Sequence, residues 1–226
     1  MISASALSLL YPAEGIDGYS RDEFVADLLD EAEADIRRSL DGGADSVQID
    51  FTEGRLSLKL DPSGGLLRQF LELNNAVLER FTPEEQQRIG VHSCPGGDQD
   101  STHSADVEYA GLVPGLLELP AGRFYLELAG EPDRPAVLET IRSHLKPGQR
   151  IFIGVTDPID PVVETAEQVR DRILEAAEYI PPDQLGTTDD CGFAPFADDT
   201  STARTTAFAK IKARVDGTQL AAAQLG

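Results

Sequence analysis

Apolar positions along the chain recur in two alternating rhythms. Over residues 21–40, "RDEFVADLLDEAEADIRRSL", the residues Phe24, Val25, Leu28, Leu29, Ala32, Ile36 and Leu40 fall three and four apart, which predicts one amphipathic helix. Ser20, with Glu23 three positions on, is a capping box that would start it, and "DGG" at 41–43 would stop it. A second stripe of Leu67, Phe70, Leu71, Asn74, Val77, Leu78 and Phe81 predicts a helix over 66–81. "RPAVLETIRSHL", with Pro135 in its first turn, "ETAEQVRDRILEAAEYI" and residues 200–215 predict three more, and the alanine-rich tail after the last is expected to fray. "VEYAGLVPGLLEL" predicts a short helix bent or broken at Pro114.

Between these stretches lie short apolar runs: "SVQID", "RIGVHSC", "GRFYLELAG", "QRIFIGVTD" and "DQLGTTDDCGF". They predict five strands, with a sixth at the N-terminus. Residues 51–65 read as a loop in which "RLSLKL" alternates with period two, the pattern of a small hairpin arm. Strands separated by helices of roughly 10–20 residues argue for parallel β/α units. With no internal repeat and no linker-like stretch, residues 1–226 read as one domain. A closed eight-stranded β/α barrel takes ~250 residues, whereas an open doubly wound sheet of five or six strands suits this length well. Periodicity alone leaves both open.

Composition changes this picture mainly by exclusion. The chain is 41% hydrophobic and 26% charged, which is a globular composition. Its net charge of −21 repels phosphate backbones and anionic lipid, so neither nucleic acid nor membrane is an expected partner. No run reaches the ~18 apolar residues of a membrane span. The apolar start, "MISASALSLLYPAEG", lacks the basic region of a signal peptide and reads as structure. Two cysteines without an export signal point to reduced thiols and a cytoplasmic location.

The unusual polar residues share one placement. Asp50 ends "SVQID", His92 and Cys94 end "RIGVHSC", Glu127 sits at the end of "RFYLEL", Asp157 ends "RIFIGVTD" and Cys191 ends "QLGTTDDC". Parallel strands bring all these C-terminal ends to one face, where β/α proteins carry their chemistry. His92, Cys94, Glu127 and Cys191 form a zinc ligand set drawn from three strand ends. Against this stands the bland reading: cysteine is a common small core residue, and "HSCPGGDQDSTH" fits a glycine-rich surface loop. His103 reads as a loop histidine, and His144 as a helix C-terminal residue favoured by the dipole. There is no Walker loop, no G-x-S-x-G elbow and no complete Ca²⁺ loop.

The series "VQID", "HSC", "LELAG", "IFIGV", "DDCGF" resembles the C-terminal catalytic barrel of the cobalamin-independent methionine synthase superfamily, above all its short single-barrel members. The resemblance runs from about Ser3 to the closing helix. It implies a (β/α)8 TIM-type barrel of which about six of eight units are present, the first two lying upstream of Met1. It implies a catalytic Zn²⁺ held by His92, Cys94, Glu127 and Cys191, and a role for Asp50 in holding the amino group of homocysteine. The sequence departs from the family at Phe51, where a glutamate is usual, and at Ile159, where long members carry a histidine at the folate.

The ligand set would suit one kind of chemistry. A free thiol has a pKa near ~8.5, and Zn²⁺ removes its proton while leaving a nucleophilic sulfur. Two thiolates and a carboxylate would make the centre a poor Lewis acid, favouring attack by sulfur over activation of water. The expected activity is a zinc-dependent S-methyltransferase giving methionine from homocysteine and a methyltetrahydrofolate-type donor. The alternatives are alkyl transfer to another thiol or from a corrinoid-protein donor, to which Ile159 points, and a zinc-binding barrel fragment without activity. A barrel open at one side would expose strand edges and invite self-association.

Overall fold

The computed structural model describes residues 1–98 and 101–226. In chain order the elements are α1 (Ala4–Ser8), α2 (Arg21–Asp41), β1 (Val47–Asp50), α3 (Glu53–Leu60), α4 (Gly65–Leu78), α5 (Pro83–Gln86), β2 (Ile89–Ser93), β3 (Gly97–Asp98), β4 (Ser101–Thr102), α6 (Val113–Glu118), β5 (Arg123–Leu126), α7 (Arg134–His144), β6 (Arg150–Thr156), α8 (Ala166–Ala177), β7 (Leu185–Asp189) and α9 (Arg204–Leu225). β1, β2, β5, β6 and β7 form one sheet in that order, and β3 pairs with β4 in a small ribbon. Every pairing in the main sheet is parallel. β2 is buried along its whole length, as a strand covered on both faces should be. Where the sequence predicts a sixth strand, the N-terminus makes only a single parallel bridge, Ile2 to Asp50, with the Asp50 N–H donating to the Met1 carbonyl at 2.8 Å, and turns into α1 at Ala4.

The helices form where the stripes place them. Both halves of the Ser20–Glu23 capping box are made, and α2 ends at Gly42 with Gly43 at φ +94°. Its buried face is Ala32, Ile36 and Leu40, whereas Phe24 packs against the rings of Tyr11 (5.4 Å) and Tyr19 (6.3 Å). The core is continuous between this helical layer and the sheet, through residues such as Ile36, Leu78, Ile89, Phe124, Ile151 and Val169.

Three expectations need correction. Residues 51–65 hold helix α3 and no hairpin. The period-two pattern misled because α3 buries a polar face, Glu53, Arg55 and Ser57, so hydrophobicity does not mark its inner side. The alanine-rich tail is helical to Leu225; alanine is the best helix former, and Gly217 lets α9 approach Val169 of α8 so closely that a Cβ there would sit 2.5 Å from its side chain. Pro114 starts α6 in its first turn, after a 3₁₀ turn at Tyr109–Gly111, and bends nothing.

The end of the sheet is fastened by one carboxylate. Asp190, just past β7, accepts from the backbone N–H groups of Leu128 (3.0 Å), Ala129 (2.9 Å) and Gly130 (2.8 Å), the turn after β5. It reaches them across β6 at Gly154, beside a register shift between Gly154 and Thr156, and a Cβ at Gly154 would overlap the Asp190 carboxylate. Gly154→Ala should therefore push Asp190 off its three donors and cost on the order of 2–4 kcal/mol by urea denaturation. Gly111→Ala, whose Cβ would make only an ordinary 3.6 Å contact with Leu58, should change stability little. Equal midpoints for the two variants would show that the clasp does not hold the fold.

Candidate metal centre

Three of the four expected ligands converge. One ligand atom from each of His92, Cys94 and Cys191 lies within 4.8 Å of the other two, and among the described residues these three form the group able to hold a metal ion. His92 ends β2 in register with Asp50 of β1 and Tyr125 of β5. Cys94 follows it and is fully buried. Cys191 comes two residues after β7, three places from β2 in the strand order. In a flat sheet those strands would lie about 14 Å apart. Their sulfurs are 3.6 Å apart, so the sheet must curl to close the distance.

The donor set fits zinc. Two Zn–S bonds of ~2.3 Å in a tetrahedron put the sulfurs about 3.8 Å apart, close to the 3.6 Å seen. Both cysteines are free thiols. The Gly96 N–H donates to the Cys94 sulfur at 3.4 Å, the outer-shell support a thiolate ligand uses, with Gly96 at φ +79°.

The electrostatics describe a site that has gathered more acids than it can ionise without a cation. The Cys94 hydrogen bond, opposed by burial and helped by the His92 contact and charge, brings Cys191 down to about 4. The same hydrogen bond, then burial, pushes the Cys94 thiol well up. Burial disfavours protonated His92, but Cys191 and the Asp50 charge outweigh it and raise its pKa. Of the two sulfurs, Cys191 is thus the one that ionises, beside a Cys94 thiol.

Glu127 is the ligand expected from sequence that does not join the three. It directly follows β5, its N–H donating to the Ser93 carbonyl at 3.2 Å, and it lines the same cavity of about 210 Å³ as Cys94, Cys191, Asp157, Ile159 and Asp190. Its Oε2 accepts from Arg55 Nη1 at 3.2 Å, and Arg55 also pairs with Glu131. Burial first, then the Asp190 and Glu131 carboxylates, push the Glu127 carboxyl up to about 10 against the opposing Arg55 charge. A bound cation would reverse that direction.

Asp50 ends β1 in register with His92. Its Oδ1 is buried without a hydrogen-bond partner, and burial, opposed by the His92 charge, raises its pKa. Phe51 is fully buried in the core. His103 is exposed, with Nδ1 3.1 Å from the Ser104 hydroxyl, and His144 closes α7 with Nδ1 2.9 Å from the Thr140 carbonyl. Gln99 and Asp100, within the glycine-rich loop after Cys94, lie outside the described residues.

Sequence reasoning missed Arg55, Glu131 and Asp190. Arg55 was hidden by the hairpin reading of its segment. Asp190 had a usable signal, a second acid before the cysteine in "DDC" at a strand end.

Comparison with known proteins places these features in a lineage. Residues 10–217 match the family model described as the cobalamin-independent synthase catalytic domain. The chain is 25% identical over 189 residues to the methionine synthase of Methanothermobacter marburgensis, covering 82% of this chain and 53% of that one. It is 33% identical over 116 residues to the 2-hydroxypropyl-CoM lyase of Xanthobacter autotrophicus, covering 50% and 29%. The chain thus spans about half or less of these relatives. Its fold is similar to that of a B12-independent methionine synthase from Shewanella sp. W3-18-1, solved in complex with selenomethionine, at a TM-score of 0.68 and 22% identity, over 92% of this chain and 58% of that one. No helix among the described residues is long and apolar enough to cross a membrane. By the family match over nearly its whole length, this chain belongs to the cobalamin-independent synthase catalytic-domain family.

Proposed function

We propose that this chain is the zinc-holding catalytic part of an S-methyltransferase that makes methionine from homocysteine and a methyltetrahydrofolate-type donor. The observation that carries the reading is the meeting of His92, Cys94 and Cys191 from strand ends that a flat sheet would keep apart, with both cysteines lining a cavity of about 210 Å³. The curled parallel sheet is read as about six of the eight units of a (β/α)8 barrel, in keeping with the fold of its solved neighbour.

The residues would divide the work as follows. His92, Cys94 and Cys191 hold the zinc, and Glu127, lining the same cavity, supplies the fourth donor through a carboxylate oxygen. The zinc, when bound, deprotonates a substrate thiol and keeps its sulfur nucleophilic toward a methyl group. Asp50 presents a buried, unpartnered carboxylate oxygen that suits a substrate ammonium group. Glu127 is the hard oxygen donor among softer ligands, and the one expected to yield its place to an arriving sulfur.

A second reading is alkyl transfer involving another thiol or a corrinoid-protein donor. Two observations favour it: Ile159 lines the cavity where a histidine would serve a folate, and one relative is named as a lyase of 2-hydroxypropyl-CoM. The response of the site to different thiols separates the two as to the acceptor.

Purified protein should carry about one zinc per chain. Cys94→Ser and Cys191→Ser should each lose most of it by elemental analysis, and Glu127→Gln less, since an amide oxygen still coordinates. Full zinc in both cysteine variants would end the proposal. Adding homocysteine should add one sulfur neighbour in X-ray absorption at the zinc edge. Asp50→Asn should weaken homocysteine by on the order of 1.5–3 kcal/mol while leaving a thiol that lacks an amine nearly unaffected. A spectrum that ignores homocysteine but responds to a different thiol would transfer the assignment to the second reading.

A further inference from the structure

Arg55 is a cation sealed into the rim of an acidic site, and its contacts are not symmetrical. It is 1% exposed. Its Nε donates to the Val107 carbonyl at 3.0 Å, and its Nη2 to Val107 (2.6 Å) and Ala105 (3.2 Å). The guanidinium lies over the Tyr109 ring, 5.0 Å from its centroid, and the Tyr109 hydroxyl is tied to the Ser93 carbonyl at 2.9 Å. Two of its three nitrogens are thus fixed to backbone and its face to a ring. Only Nη1 is left for carboxylates, and it is shared by Glu127 Oε2 and Glu131 Oε1. The other Glu127 oxygen, Oε1, is turned toward Gly130, where a Cβ would lie 3.8 Å from it, on the wall of the cavity that holds both cysteines.

A carboxylate held in this way is divided. One oxygen belongs to a fixed cation, and the other lies toward Gly130 on the cavity wall, with the Glu131 carboxyl close by. An arginine fork anchored to carbonyls cannot follow the carboxylate if it moves, so the guanidinium defines a fixed resting place. Its charge also draws electron density from the carboxylate, which lowers the hold of Glu127 on a metal. Outer-shell partners of this kind commonly change metal-site behaviour by tenfold or more when removed.

We propose that Arg55 is a positioning residue for the thiol acceptor's entry: it presents one oxygen of Glu127 to the metal, keeps that bond weak, and takes the carboxylate back when the substrate sulfur displaces it. Glu131 competes for the same Nη1 and so sets how firmly Arg55 draws on Glu127. The inference rests on Glu127 being the fourth donor in the reading above.

The test uses two conservative variants, because Arg55→Ala would strand two buried carboxylates and endanger folding. The protein is loaded with Co²⁺ in place of zinc, and homocysteine is titrated against the visible cobalt absorption. Arg55→Lys keeps the charge but cannot reproduce the carbonyl anchors, which frees Glu127 to hold the metal; homocysteine should bind about tenfold more weakly while cobalt affinity is kept or rises. Glu131→Gln removes the competitor, so homocysteine should bind more tightly than in the unmodified protein. Opposite shifts in thiol affinity without loss of metal would support the assignment. If the unmodified protein responds to homocysteine and both variants bind it equally well, the role of Arg55 is refuted and the thiol reading stands. If Arg55→Lys loses metal, thiol and melting temperature together while Glu131→Gln is unchanged, Arg55 is only structural and the proposal fails. If the unmodified cobalt protein does not respond to homocysteine, the underlying reading fails and takes this inference with it.

Discussion

Asp190 accepts hydrogen bonds from three consecutive backbone N–H groups across a strand whose nearest residue is glycine, and the site depends on that contact. Three peptide groups in a turn after a buried strand need partners. Supplying them from β7 ties that strand's end to the end of β5, over the top of β6. The tie draws Cys191, the next residue, toward Cys94, and sets the position of the turn that follows Glu127. Gly154 is the space through which this happens. Burial raises the Asp190 carboxyl to about 7 even though all three donors favour the charged form, which shows how far from water the clasp lies.

The clasp and the parallel sheet together explain why a metal suits this place. The C-terminal ends of the strands collect Cys94, Glu127, Asp190 and Cys191 around one small cavity. Without a cation the acids interfere with one another: Cys191 takes the charge, Cys94 keeps its proton and Glu127 is pushed far up. The Arg55 guanidinium offsets part of that charge at Glu127. A divalent ion would let the thiols ionise together, and a geometry with sulfurs 3.6 Å apart is already close to what it requires.

Glu127 and Arg55 add a graded element to an otherwise rigid site. The thiols and imidazole sit at or just past strand ends, but the carboxylate has a choice of partner. Its contact with a guanidinium fixed on two carbonyls gives it somewhere to rest away from the cluster. In the proposed function Glu127 is an exchangeable fourth donor, which suits a reaction in which a substrate atom must reach the metal and differs from a structural zinc site with four closed ligands.

The sequence by itself determined the repeating β/α order, the parallel sense of the strands, the Ser20–Glu23 capping box and the placement of His92, Cys94, Glu127 and Cys191 at strand ends. These follow from local rules: stripe period, capping residues and the single direction in which parallel strands end. It misread the segment around Arg55 because α3 buries a polar face, and hydrophobic period reports only on faces that bury carbon. It also misread the alanine tail, whose helix rests on small residues packed closely against α8. Only the tertiary structure decided that the sheet curls enough to bring β2 and β7 to one point, that Asp190 reaches three amides through the gap at Gly154, and that Glu127 gives one oxygen to Arg55. Each of these depends on residues 35 or more positions apart, whose distance is set by sheet curvature and by where one buried cation is anchored, and neither leaves a local pattern in the chain.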